Sequence, residues 1–303
     1  MSRAARALSY TPSAISQQIA LLEREIGLAV LKRNGRKLEL TAAGRLLVEE
    51  AEVVMARLDT LEQKLQASSG IDERQMRIGA FLTASATIVP HIIQAFRTRF
   101  PDVSLALAEG DPEECLPKLR RGELDVALSL EYDFVAPLPM DGLDRVLLFN
   151  DPMHVALPAA HPLAAQRSLV LEQLASDPWI TELRNSSTYP FTVRACNHAG
   201  FDPNVAFEAG DYDVVQGLVA VGVGVGFLPG LSLGTLAHGV VALPLDGTAP
   251  GRRVFCVYRS GSDASLLIAE MSNIMRDVSQ QFRAANREET PGRVRPTALS
   301  RRR

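Results

Sequence analysis

The sequence predicts an α-helical N-terminal block carrying one β-hairpin, a long amphipathic helix after it, and a C-terminal α/β region folded as two lobes. Three observations point there. Apolar residues recur at helical spacing through the first 67 residues, interrupted by a single hairpin signal. Beyond Gly70 the pattern changes to strand-like apolar runs alternating with helical stretches, the order expected of α/β sheets, mainly parallel. That region has about 210 residues, enough for two lobes of about 100 each.

Composition fits this plan and removes several others. With 303 residues, 47% hydrophobic and 22% charged, and with 18 Pro and 21 Gly, the chain is neither disordered nor collagen-like. No apolar run approaches the ~20 residues of a membrane span, and Met-Ser-Arg-Ala-Ala-Arg lacks a secretory core, so a cytoplasmic protein without a membrane partner is expected. Cys115, Cys196 and Cys256 show no CxxC spacing and read as core thiols rather than a disulfide or zinc set. Net charge is −3, but unevenly spread: residues 1–45 carry +5, residues 284–303 carry +4, and the remainder carries −12. A basic N-terminal block on an acidic body suits a nucleic-acid reader.

A short helical stretch over 2–8 is broken by Ser9-Tyr10-Thr11-Pro12-Ser13. A second helix follows, with Thr11 as N-cap and Pro12 at its first position. Ile15, Ile19, Leu22 and Ile26 form its apolar face, Gly27 stops it, and Ser13, Ser16, Gln17 and Gln18 project from its other side. Two apolar segments around Asn34-Gly35 predict a hairpin over 30–40 flanked by Lys32, Arg33, Arg36 and Lys37. Helix, helix, basic hairpin is the order of a winged helix-turn-helix, whose second helix enters the major groove while the wing rides on phosphates. From Thr41 a helix is predicted to about Ala67, with Leu47, Ala51, Val54, Leu58, Leu61 and Leu65 forming an a/d stripe. A reader of paired half-sites needs a dimer, and this helix is a sensible place to make one. Strand-like runs follow at 76–81, 103–108, 124–130, 146–149, 154–157, 205–207, 223–228, 240–245 and 254–258. Helical stretches lie near 88–99, 112–121, 188–200, 212–221 and 264–285. Residues 286–303 read as a basic, disordered tail.

The segments Ala4-Ala5-Arg6-Ala7-Leu8, Thr11-Pro12-Ser13-Ala14-Ile15-Ser16-Gln17-Gln18-Ile19, Leu22-Glu23-Arg24-Glu25-Ile26-Gly27, Leu31-Lys32-Arg33 and Leu40-Thr41-Ala42-Ala43-Gly44 strongly resemble the DNA-binding domain of LysR-type transcriptional regulators. Phe100-Pro101-Asp102-Val103, Gly122-Glu123-Leu124-Asp125-Val126-Ala127, His161-Pro162-Leu163 and Val219 to Val225 with Leu228-Pro229 resemble that family's effector domain, in the same order. The resemblance implies a winged helix-turn-helix over 1–41 and a dimerising linker helix over 42–68. It also implies an effector domain over 74–285, similar to periplasmic binding proteins, with two crossover strands. Lobe I is placed at 74–148 and 252–285, lobe II at 149–251, and the ligand cleft between them. Members usually carry one further helix ahead of the segment that starts here at Ser2. Its absence points to a start set too far downstream, or to a small-molecule receptor with impaired DNA binding.

The implied partners are double-stranded DNA with paired half-sites, a small-molecule effector, a second copy of the chain, and RNA polymerase. For DNA the candidates are Thr11, Pro12, Ser13, Ser16, Gln17 and Gln18 on the helix, Lys32, Arg33 and Arg36 on the wing, and Arg45 beyond it. Hydroxyls and cations suit phosphate, and Gln suits an adenine edge. For the effector they are Thr83, Ser85 and Thr87 after the first strand of lobe I, Asn185, Ser186, Ser187 and Thr188 in the comparable place in lobe II, and Ser129 and Phe227 at strand ends. Hydroxyls at helix N-termini favour anions, so a small carboxylate or amino-acid-like molecule is expected. No cofactor or metal is expected. Gly230-Leu231-Ser232-Leu233-Gly234 is a literal GxSxG, but no acid followed by histidine comes after Ser232, which argues against a hydrolase. Gly222, Gly224 and Gly226 do not complete a GxGxxG and read as close backbone packing at a buried strand.

Overall fold

The computed structural model describes residues 11–34, 37–48, 50, 51, 54, 75–184, 186–247 and 249–288. Helix 2–8, Arg36, Leu58, Leu61, Leu65, Asn185 and the tail beyond 288 lie outside them. The chain divides into two compact units, Met1–Ser68 and Ser69–Arg303.

In the first unit, α1 (Pro12–Ile26) starts where Pro12 presets φ and the Thr11 hydroxyl accepts from the Ala14 amide, and ends at Gly27 with φ +70°. Its apolar face is less covered than the periodicity suggests: Ile15, Ile19 and Leu22 are half-buried and Ile26 is exposed. A unit this small has too little chain to bury a helix stripe completely. Glu23 Oε1 accepts from the Val30 and Leu31 amides, 2.8 and 3.1 Å, tying α1 to the hairpin. β1 (Leu31–Asn34) and β2 (Lys37–Leu40) pair antiparallel with Asn34 opposite Lys37, so Asn34 belongs to the first strand. Thr41 then donates its hydroxyl to Ala29 O and accepts from the Gly44 amide, capping α2, a helix that holds residues 42–48, 50, 51 and 54.

The second unit is built on a seven-stranded sheet. In lobe I, β3 (Gln75–Ala80) lies between β4 (Ser104–Glu109) and β5 (Val126–Tyr132), parallel to both. Next come β11 (Gly251–Arg259) and β6 (Leu143–Pro158), each antiparallel to its neighbour. β6 continues into lobe II, where β9 (Gly226–Pro229) and β10 (Val240–Pro244) pair with its second half, again antiparallel. Parallel β7 (Pro178–Glu182) and β8 (Asn204–Ala209) complete lobe II, and β7 is bridged to Val225. The expected mainly parallel arrangement therefore holds only for the strand-helix-strand parts. The crossover strands are antiparallel because chain leaving one lobe must return through the same hinge.

Helices α3 (Ile88–Arg99) and α7 (Leu266–Glu288) cover one face of lobe I through Ile88, Ile92, Phe96, Met271 and Met275. α4 (Pro112–Arg120) covers the other through Cys115, Leu116 and Leu119. Gly79 leaves room for Leu124 and for Cys115 of α4, since a Cβ there would lie 2.7 Å from Leu124 Cδ1 and 3.1 Å from Cys115 Sγ. In lobe II, α5 (Thr188–His198) and α6 (Tyr212–Ala220) pack on β7 and its neighbours. A Cβ on Gly224 or Gly226 would meet the carbonyl oxygens of Pro178 or Ile180 at 2.6 and 2.9 Å, so these glycines serve close strand packing.

Candidate functional site

On the first unit, Ser13, Ser16, Gln17 and Gln18 are exposed along one side of α1. Thr11 is partly committed, capping the helix and sharing a 3.0 Å hydrogen bond with Ser13. Lys32 and Arg33 are exposed on β1, Lys32 opposite Glu39. Arg45 is exposed, and its guanidinium donates to Leu40 O at 3.1 Å, which holds its head toward the end of the hairpin. Of the a/d stripe, Leu47 is half-buried while Ala51 and Val54 are exposed.

In the second unit a cavity of about 90 Å³ opens where lobes I and II face each other. Phe81, Leu82 and Thr83 follow β3, Asp111 follows β4, and Leu130 and Tyr132 end β5. From lobe II, Glu182, Ser186, Ser187 and Thr188 follow or end β7, and Gly210, Asp211 and Tyr212 follow β8. Every one of these strands belongs to the parallel parts and presents its C-terminal end, the position where open α/β sheets bind ligands. Arg252, at the start of β11, closes the floor.

The floor is a single polar network. Arg252 is 2% exposed; its Nε donates to Asp151 Oδ2 at 2.9 Å, Nη2 to the Thr83 hydroxyl at 2.8 Å, and Nη1 to the Tyr132 hydroxyl at 3.4 Å. The guanidinium also lies over the Phe81 ring, 5.1 Å from its centroid. Asp151 Oδ1 accepts from the Leu231 amide at 3.1 Å. Burial works against the Arg252 charge, but Asp151 and the two tyrosines more than offset it, so the group stays cationic. Tyr132 OH receives the Thr188 hydroxyl at 2.9 Å and meets Tyr212 OH at 3.2 Å, joining the lobes. Burial keeps both phenols neutral. Burial also pushes the Glu182 carboxyl above the usual range, against hydrogen bonds with Thr188 and Tyr212. Asp111, at the rim, is raised first by partial burial of its carboxyl and second by Glu114, with Arg252 opposing.

Of the sequence candidates, Thr83, Ser186, Ser187 and Thr188 come together here. Four do not. Ser85 donates its hydroxyl to Ala80 O and Thr87 to Thr83 O, so both are spent on their own helical turn. Ser129 is buried opposite Phe255; strand alternation turns it away from the face that Leu130 and Tyr132 share with the cavity. Phe227 sits in an aromatic cluster with Trp179 and Phe191, centroids 5.3 and 5.2 Å apart. The residues missed were Arg252, Tyr132, Tyr212, Glu182, Asp111 and Asp211. The two aspartates were findable: each precedes a helix just after a strand, the same rule that picked out Thr83. Arg252 carries no such signal. Ser232 of the GxSxG lies buried in the 3₁₀ turn Gly230–Thr235, and no hydrogen bond joins it to a histidine among the described residues.

Comparison with known proteins agrees with both units. Residues 69–280 match the LysR substrate binding domain, and residues 1–45 match the bacterial regulatory helix-turn-helix protein, lysR family. The HTH-type transcriptional regulator AlsR of Bacillus subtilis is 31% identical over 229 residues, covering 75% of this chain and 74% of AlsR. The Hca operon transcriptional activator HcaR of Escherichia coli is 30% identical over 278 residues, covering 91% and 89%. An H2O2-bound cysteine mutant of OxyR from Corynebacterium glutamicum shares the fold, with TM-score 0.64 at 22% identity over 98% of this chain and 93% of that one. The chain is a member of the LysR family of bacterial transcriptional regulators.

Proposed function

We infer that this regulator binds operator DNA through α1 and the hairpin, and that a small molecule held in the cavity between lobes I and II sets its activity. The carrying observation is the cavity itself: strand ends and helix starts from both lobes converge on a buried guanidinium, so a ligand there contacts both lobes and biases their spacing. Ser13, Ser16, Gln17 and Gln18 would read base edges and backbone, and Lys32 and Arg33 would hold phosphates. Thr83, Ser186, Ser187, Thr188 and Arg252 would hold the effector. Residues 42–68 would pair two copies so that half-sites are read together, with RNA polymerase as the further contact during transcription in the cytoplasm. The chain would act as a switch and not as a catalyst.

Thr188→Trp tests the cavity's role by filling it from the lobe II side. The variant is expected to bind operator DNA as the parent does while losing its response to effector-containing cell extract. An unchanged response would refute the assignment.

The described cysteines do not favour peroxide sensing as the input. Cys115, Cys196 and Cys256 are buried and unpaired in disulfides, and burial pushes their thiols up to about 11, 12 and 12. Reactive thiols need the opposite shift and solvent access.

A further inference from the structure

The charge balance of the cavity narrows what it holds. Its one buried cation is already matched: Arg252 and Asp151 are 2% and 4% exposed and 2.9 Å apart. Beyond that pair the lining contributes no second cation and three acids, Asp111, Glu182 and Asp211. A plain carboxylate entering here would face this acidic wall with Arg252 already engaged.

The acids differ in what they already hold. Helices α4 and α6, which follow β4 and β8, begin with aspartate. Asp211 spends its carboxylate on the Asp213 and Val214 amides, at 2.6 and 3.1 Å, whereas Asp111 makes no capping bond. α5, which follows β7, begins at Ser187 with no side-chain cap; the Ser186 hydroxyl is engaged with Leu183 O and the Tyr189 amide, and that of Thr188 with Tyr132, so Thr83 and Ser187 supply the hydroxyls that can turn to a guest. The start of α5, with Ser187, and the Thr83 hydroxyl therefore offer amides and hydroxyls to an oxyanion, and Glu182 and Asp111 offer carboxyls to a cation beside it. The cavity, about 90 Å³, suits a compact guest whose two charges lie close together.

Resting on the effector-cavity reading above, we propose that the guest is a small amino acid or a close analogue. Its ammonium group lies on Glu182 and Asp111, and its carboxylate lies toward Thr83 and Ser187 at the start of α5. A longer side chain leaves through the mouth past Leu82 and Gly210.

The test uses the full chain and calorimetric titration with the twenty proteinogenic amino acids, each compared with its des-amino acid and its decarboxylated amine. At least one amino acid is expected to bind ten or more times tighter than both of its partners. Glu182→Gln is expected to weaken that amino acid at least tenfold while leaving its des-amino acid within threefold. Asp111→Asn, at the exposed rim, serves as a second variant should Glu182→Gln fail to fold by circular dichroism, and is expected to act in the same direction. Des-amino acids binding as well as their parents, or no amino acid binding, would overturn the proposal. The two readings fail differently. A des-amino acid that binds and is displaced by Thr188→Trp leaves the cavity as the effector site and removes only the ammonium assignment. Binding that survives Thr188→Trp removes both.

Discussion

Asp151→Asn isolates the charge that holds the cavity floor. The side chain keeps its shape and an oxygen for the Leu231 amide, but it turns an amide NH2 toward Arg252 Nε, donor against donor. Arg252 is then a buried cation whose direct contacts are the Thr83 and Tyr132 hydroxyls and the Phe81 ring, none of them an anion. Removing one partner of a buried pair typically costs about 3–5 kcal/mol, because the other charge is left uncompensated. With both groups nearly inaccessible, solvent screening offers little relief. For a region of this length each kcal/mol moves the melting temperature by roughly 2–4 °C, so a fall of about 6–20 °C is expected. Urea unfolding followed by circular dichroism measures it. The double variant Asp151→Asn/Arg252→Met should regain most of the loss, since no charge then remains to be matched. A single-variant cost below about 1 kcal/mol, the range of an exposed pair, would refute the claim that this is a desolvated ion pair.

Three further outcomes follow from particular contacts. Glu182 has a raised pKa in the folded chain, so the folded state holds its proton more tightly than the unfolded one; stability contributed by this group is present in acid and lost as pH rises through the raised value. Glu182→Gln should therefore flatten, without abolishing, the decline in melting temperature from acid to neutral pH, Asp111 retaining a shift of the same sign. Gly44→Ala would drive a Cβ into the backbone carbonyl of Val30, which cannot rotate aside; a loss of about 1–3 kcal/mol or more in the stability of the first unit is expected, read as earlier urea unfolding and weakened DNA binding. The three thiols should resist a thiol reagent in the native chain and all react after unfolding, as a colorimetric titration would show.

Much of the fold was legible because its signals are local. The α1 cap and stop, the hairpin, and the alternation of apolar runs with helical stretches each reduce to spacing and a few turn residues. Other features were not, for reasons that are tertiary. β6 is one strand of 16 residues, yet Asn150-Asp151-Pro152 reads as a turn; the strand runs through it because Asp151 is held by Arg252 and because pairing passes there from β11 to β9 and β10. β7 is only five residues long and opens with proline, too little for a pattern, although Trp179 anchors the lobe II core. The site divides the same way. Helix-start hydroxyls revealed Thr83 and Ser186 to Thr188. Strand alternation over 126–132 puts Leu130 and Tyr132, and not Ser129, on the cavity face. Arg252 pairs with a residue 101 positions away, and nothing local announces it.

The central claim is that the exposed hydroxyl and amide side of α1 reads DNA sequence while the hairpin cations supply general affinity. Fluorescence anisotropy of the full chain on duplex DNA from upstream of its own gene, against a shuffled duplex at the same salt, tests it most directly. The account predicts an operator affinity tighter by roughly 10³-fold or more, as specific readers show over nonspecific binding. Gln17→Ala should narrow that ratio, and Arg33→Ala should weaken both duplexes alike and lower the salt slope by about one. Equal affinity of the parent chain for the two duplexes, or equal losses on both from Gln17→Ala, would contradict it.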